Sequence, residues 1–188
     1  MDLYLHIRVV LGILVGFSLT RLVGTAPQLA QQERKRVYWV HLVWCLFMFF
    51  YVIGFWWWEF QLATIPRWTF PLYVFLTVYG VLVYFLCALL SPTDLSNYEG
   101  YKEYFFSRRK WFFGAMAVMV VVDAYDTYMK GLEHFHALGL TYPLRTGFVL
   151  LLSLLAIKVR NERFHAAFAV FALVAEIFYY LRLFFTVA

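Results

Sequence analysis

The chain has 188 residues, of which 64% are hydrophobic and 14% charged, with a formal net charge of +5; soluble domains carry roughly 45–50% apolar and about 25% charged residues. Six spans of roughly 20 residues each consume most of this length and leave no room for a separate soluble domain. The sequence therefore predicts an all-α polytopic membrane protein, with residues 1–188 forming a single transmembrane domain: a compact bundle of six transmembrane helices with a short interfacial helix.

The first span is predicted from Leu3 to Gly24. Asp2 stands where a signal peptide would carry positive charge, and Arg8 interrupts the apolar run, so the segment reads as an uncleaved span. Gly12 and Gly16 form a small-xxx-small pair of the kind that lets helix backbones approach. The basic turn Gln31-Gln32-Glu33-Arg34-Lys35-Arg36 follows, then a second span from Val37 to Trp58 with tryptophans near both ends. A link containing Pro66 and Arg67 leads to a third span that ends near Leu90, before Ser91-Pro92.

Between Thr93 and Lys110, Ser96 and Glu99 have capping-box spacing, and Tyr98, Tyr101 and Phe105 recur at helical intervals; this segment is the predicted interfacial helix. The fourth, fifth and sixth spans are predicted over 111–129, 143–157 and 164–187. Cys45 and Cys87 both fall inside spans and read as small packing residues rather than as a disulfide framework.

Basic residues concentrate in the turns after the first, third and fifth spans, whereas the opposite ends hold only Arg67, Lys130 and Arg145. By the positive-inside rule both termini lie outside the cytoplasm. Basic turns alternating with aromatic spans are similar to those of many small bacterial inner-membrane proteins, and that is the predicted location. The positive charge thus follows topology rather than nucleic acid.

Ionisable groups inside spans cost several kcal/mol unless they pair or face water, which directs attention to Asp123, Asp126 and Lys130 on the fourth span. Helical counting places them on one narrow stripe. Arg8 lies at a similar depth on the first span, and Glu176 nearer the midplane on the sixth shares a stripe with Tyr179 and Tyr180. Arg8 is expected to approach Asp123 or Asp126, and Lys130 to pair with Asp126 one turn away. Three acids against Arg8 and Lys130 leave one carboxylate without a basic partner, and such a group takes up a proton or a cation. Glu176 is the leading candidate.

These residues predict a small channel or transporter with a titratable cation or proton site in the outer half of the bundle. The alternative is a staple of ion pairs in a non-catalytic subunit, sensor or scaffold, whose basic turns engage anionic lipid or a protein partner. A third class, an intramembrane metal or redox enzyme, would use histidines. His6, His134 and His136 are the candidate metal ligands, but an H-x-H in a loop lacks the further spacing of a zinc site. His41 and His165 lie near one membrane face, and only their depth favours a bis-histidine haem. The sequence has no Walker loop, nucleophile elbow or zinc-protease helix, so it calls for no cofactor and favours a non-enzyme. The expected partners are the lipid bilayer, a second copy of the chain and a protein at the cytoplasmic face.

Overall fold

The computed structural model describes residues 3–31, 37–65 and 67–186. The described chain is 86% helical without strands, and six helices are long and apolar enough to cross a membrane. The elements are α1 (Leu3–Gln31), α2 (Trp39–Trp58) continued by a 3-10 turn (Glu59–Thr64), α3 (Phe70–Leu90), α4 (Tyr101–Met129), a short α5 (Leu132–Ala137), α6 (Thr141–Lys158) and α7 (Glu162–Thr186). Arg34, Lys35 and Arg36 of the first basic turn, and Pro66, lie outside the described residues.

Local chemistry fixes several helix ends. The Thr69 hydroxyl accepts the Leu72 N–H at 3.4 Å at the start of α3, and a proline occupies its first turn, where a missing N–H costs nothing. The Asn161 side-chain oxygen Oδ1 accepts the N–H groups of Arg163 at 2.8 Å and Phe164 at 3.3 Å, turning the chain tightly from α6 into α7. Where α3 stops, the Ser91 hydroxyl donates to the Arg21 carbonyl at 2.9 Å and accepts from Thr25 at 3.1 Å, tying that end to α1.

The predicted interfacial helix is not a separate element. Ser96 turns its N–H and hydroxyl onto the Asp94 carboxylate, each at 2.7 Å, instead of closing a capping box with Glu99. It is Glu103 that reaches back, accepting the Glu99 N–H at 2.8 Å, and α4 then runs unbroken from Tyr101 to Met129. The physical reason is burial: Tyr101, Tyr104, Phe105 and Phe106 pack inward instead of lying along a membrane surface, and no breaker separates them from Trp111.

α1 packs along α3, α4 along α6 and α2 along α7, while α2 also touches α1, α3 and α4. Half of the α2 span is buried, the largest share of any span, which makes it the central helix. Gly80 permits the α1–α3 approach, since a Cβ there would come within 2.8 Å of Leu14. Gly16 faces open space and plays no such part, and Gly12 lies against the Trp56 ring.

Toward the basic ends of the helices the core is an aromatic block. The buried Trp44 ring lies 5.0–5.4 Å from Phe47, Phe112, Phe113 and Phe168 in edge-to-face contacts. Outward, α1 exposes Leu5, Val9, Ile13 and Phe17, and α3 exposes Val74, Val78, Val81 and Phe85. Apolar rows of this extent suit contact with lipid rather than water.

Candidate functional site

α2 and α4 both start at the basic end, so their far ends meet on the opposite side, and there the buried charges gather. The Lys130 ammonium lies 2.7 Å from Asp126 and 3.0 Å from Glu59, with all three side chains at most 6% exposed. Asp126 is one helical turn before Lys130, as the spacing predicts. Glu59 is brought in by the 3-10 turn, which tightens the chain after Trp58 and leaves Glu59 only 2% exposed. Burial lowers the Lys130 pKa, but the Glu59 and Asp126 carboxylates outweigh it and hold the group above its ordinary value.

One turn deeper, Asp123 is surrounded by phenols. Tyr79 and Tyr142 donate to its two carboxylate oxygens at 2.8 Å each, and Tyr51 donates at 3.2 Å. Tyr51 also lies 2.7 Å from the Tyr79 hydroxyl, to which it can donate in place of Asp123, and Tyr142 accepts from Thr127 at 2.9 Å. Four helices, α2, α3, α4 and α6, thus converge on a single carboxylate. Hydrogen bonds to a charged acceptor contribute about 1.5–3 kcal/mol each, enough to compensate much of its burial.

Beside this cage Arg145 of α6 forms a buried ion pair with Glu176 of α7 and lies over the Tyr179 ring, 4.3 Å from its centroid. The Tyr180 hydroxyl is within hydrogen-bonding reach of Glu176. Gly54 on α2 makes room for it, because that hydroxyl occupies the space a Cβ would need.

Asp123, Asp126, Lys130, Glu176, Tyr179 and Tyr180 therefore come together around one cavity. Arg8 does not. It lies exposed on α1 against its own neighbour Tyr4, 5.4 Å from the ring, and α1 makes no contact with α4 among the described residues. Arg145 supplies the buried guanidinium instead, and Glu176, expected to lack a basic partner, has one. A fifth span that starts at Pro143 sets Arg145 at its outer end, where it counts toward the charge bias and is assigned no acidic partner. In fact α6 begins at Thr141, so Arg145 is one turn inside it. Glu59 follows three tryptophans at the end of the second span, where a polar residue is expected at the interface, and the cage tyrosines carry no charge to flag them.

The candidate metal ligands stay apart. His6 lies against Tyr73 with ring centroids 5.9 Å apart, His134 against Trp58 at 6.0 Å, and His136 is exposed. Among the described residues no group of three or more His, Cys, Asp or Glu side chains could hold a metal ion. At the other end Phe105 contacts the rings of both His41 and His165, at 6.4 and 5.6 Å, filling the region a haem bridging them would require.

The cavity has a volume of about 50 Å³ and is lined by four acids, Glu59, Asp123, Asp126 and Glu176, against two strong bases, Lys130 and Arg145. His134, also on its wall, is held below its usual pKa by burial and by the Lys130 ammonium, and so adds no positive charge at neutral pH. A space of this size holds one or a few water molecules. One oxygen each of Glu59 and Asp126, and Nε of Arg145, is buried without a protein partner. A smaller cavity of about 20 Å³, lined by Asp123, Arg145, Thr146 and Glu176, continues toward the aromatic block.

Comparison with protein-family models, with curated proteins and with solved structures finds no match to this chain.

Proposed function

We propose that the protein is a small membrane transporter whose buried acid cluster binds a proton or a monovalent cation from the side opposite the basic turns. The observation that carries this reading is the imbalance around the 50 Å³ cavity: four carboxylates face two strong bases, and oxygens of Glu59 and Asp126 have no protein partner. A low-dielectric site does not keep such a surplus bare; it fills with protons or cations. By the positive-inside rule the loading side is extracytoplasmic, and both termini lie on it. A bacterial inner membrane fits this arrangement.

The aromatic block of Trp44, Phe47, Phe112, Phe113 and Phe168 stands between the cluster and the basic end. It favours a carrier, which exposes its site to one side at a time, over an open pore. The scaffold reading draws its support from the other half of the geometry, since Lys130 and Arg145 each have carboxylate partners, as a structural staple requires.

Proteoliposomes holding a pH-sensitive dye separate the two. Wild-type protein should conduct protons or a small cation, and Asp123→Asn and Glu176→Gln should reduce that flux in folded protein. Absence of flux for every ion tested, or flux unchanged in both variants, would replace the transporter with the scaffold.

A further inference from the structure

The cluster already holds an ammonium. Lys130 projects its –NH₃⁺ between Glu59 and Asp126 at 3.0 and 2.7 Å, in a side chain only 3% exposed, so this pair of carboxylates is shaped to the size and charge of an alkylammonium head. The lysine is the last residue before Gly131, whose φ of 119° is open to glycine and strained for other residues. Its ammonium is thus delivered from a helix end rather than from mid-helix. The second oxygen of each carboxylate is buried and has no protein partner, and both residues line the cavity.

The remaining walls match the same chemistry. The cavity is lined by aromatic rings that include Phe55, Trp58, Tyr79 and Tyr142, and Arg145 over Tyr179 shows that a cation already rests on one of these rings. Aromatic faces combined with carboxylates are a setting for organic ammonium ions, which take cation–π contacts and N–H···O bonds together. Hard inorganic dications need six or more oxygen ligands in regular geometry. Here the Asp123 oxygens are occupied by phenol donors. A volume of about 50 Å³ admits an ion of one or two heavy atoms and rejects a quaternary ammonium.

We infer that the ligand of this site is a small ammonium ion, NH₄⁺ itself or methylammonium, and that Lys130 is a tethered rival which tunes its affinity. This inference rests on the proposed cation site and narrows it. Lys130 repels an incoming ammonium while the surplus acids attract it, so removing the lysine strengthens binding, whereas removing an acid weakens it.

The test is equilibrium dialysis of radiolabelled methylammonium against purified protein in detergent, run beside the proteoliposome proton flux. Wild type should bind methylammonium saturably, with ammonium competing and tetramethylammonium not competing. Lys130→Met should tighten binding by about tenfold, and Glu59→Gln should weaken it by a similar factor. If Lys130→Met fails to fold, wild type and Glu59→Gln with the two competitors still decide the matter. Proton flux without saturable methylammonium binding would overturn this inference and leave the proton site standing. Absence of both would remove the cation site with it.

Discussion

Gly54 of α2 and Tyr180 of α7 fit so closely that the phenol hydroxyl stands where a Cβ on residue 54 would be. That fit places Tyr180 beside Glu176, and it gives a first prediction. Gly54→Ala should destabilise the protein by about 1–3 kcal/mol through overpacking. Combined with Tyr180→Ala its cost should largely vanish, because the clashing ring is gone. Denaturant unfolding of the two single variants and the double variant measures the coupling; strict additivity would show that the contact carries no strain.

Arg145 and Arg8 should differ sharply. Arg145→Ala leaves Glu176 buried without its partner, at a cost of about 3–5 kcal/mol. Arg8→Ala removes only an exposed contact with Tyr4, worth about 0.5–1 kcal/mol. Thermal melts in detergent should therefore show a large loss for the first variant and a small one for the second. Equal losses would contradict the pairing.

The phenol cage makes its own demand. Tyr79→Phe and Tyr142→Phe each delete one of the 2.8 Å bonds to Asp123, and each should cost about 1.5–3 kcal/mol in wild-type background. In an Asp123→Leu background the same changes should cost far less, since no carboxylate remains to be served. A double-mutant cycle by denaturant unfolding checks this, and a coupling energy near zero would mean that the phenols do not support the acid.

Lys130 supplies a pH dependence. Its ammonium binds its proton more tightly in the folded protein than in the unfolded chain, because Glu59 and Asp126 outweigh the effect of burial. The stabilisation is thus complete below about pH 10.5, the ordinary lysine value, and is lost as pH rises through the higher folded value. Melting temperatures of the wild type should fall across that alkaline range more steeply than those of Lys130→Met. Parallel curves would show that the lysine contributes nothing there.

Much of the architecture is legible in the chain. Span length and apolar content place α2 and α3 almost to the residue, because Trp58 and Leu90 are followed at once by a polar or proline-bearing stop. The stripe of Asp123, Asp126 and Lys130 follows from helical periodicity alone. What periodicity omits is which helices adjoin. Depth along the span favours Arg8 as the partner of a buried acid, and only the packing of α1 on α3 and of α6 on α4 puts Arg145 there instead. Tyr51, Tyr79 and Tyr142 are likewise unremarkable aromatic residues in three separate spans, and their convergence on Asp123 is a tertiary fact. The inward turn of Glu59 depends on a six-residue 3-10 segment that no apolar pattern announces.

Under the proposed function, the four carboxylates around the cavity exceed the two cations that face them, so that at least one acid carries a proton or a bound ion. Infrared difference spectroscopy reads this directly through the carbonyl stretch of a protonated carboxylic acid. In buffer whose only cation is too bulky for the cavity, wild-type protein at neutral pH should show such a band. Glu59→Gln, Asp123→Asn or Asp126→Asn should diminish it, and adding a small ammonium should bleach it as the ion replaces the proton. A wild-type spectrum with no protonated carboxyl at neutral pH, and no change when small cations are added, would contradict the account.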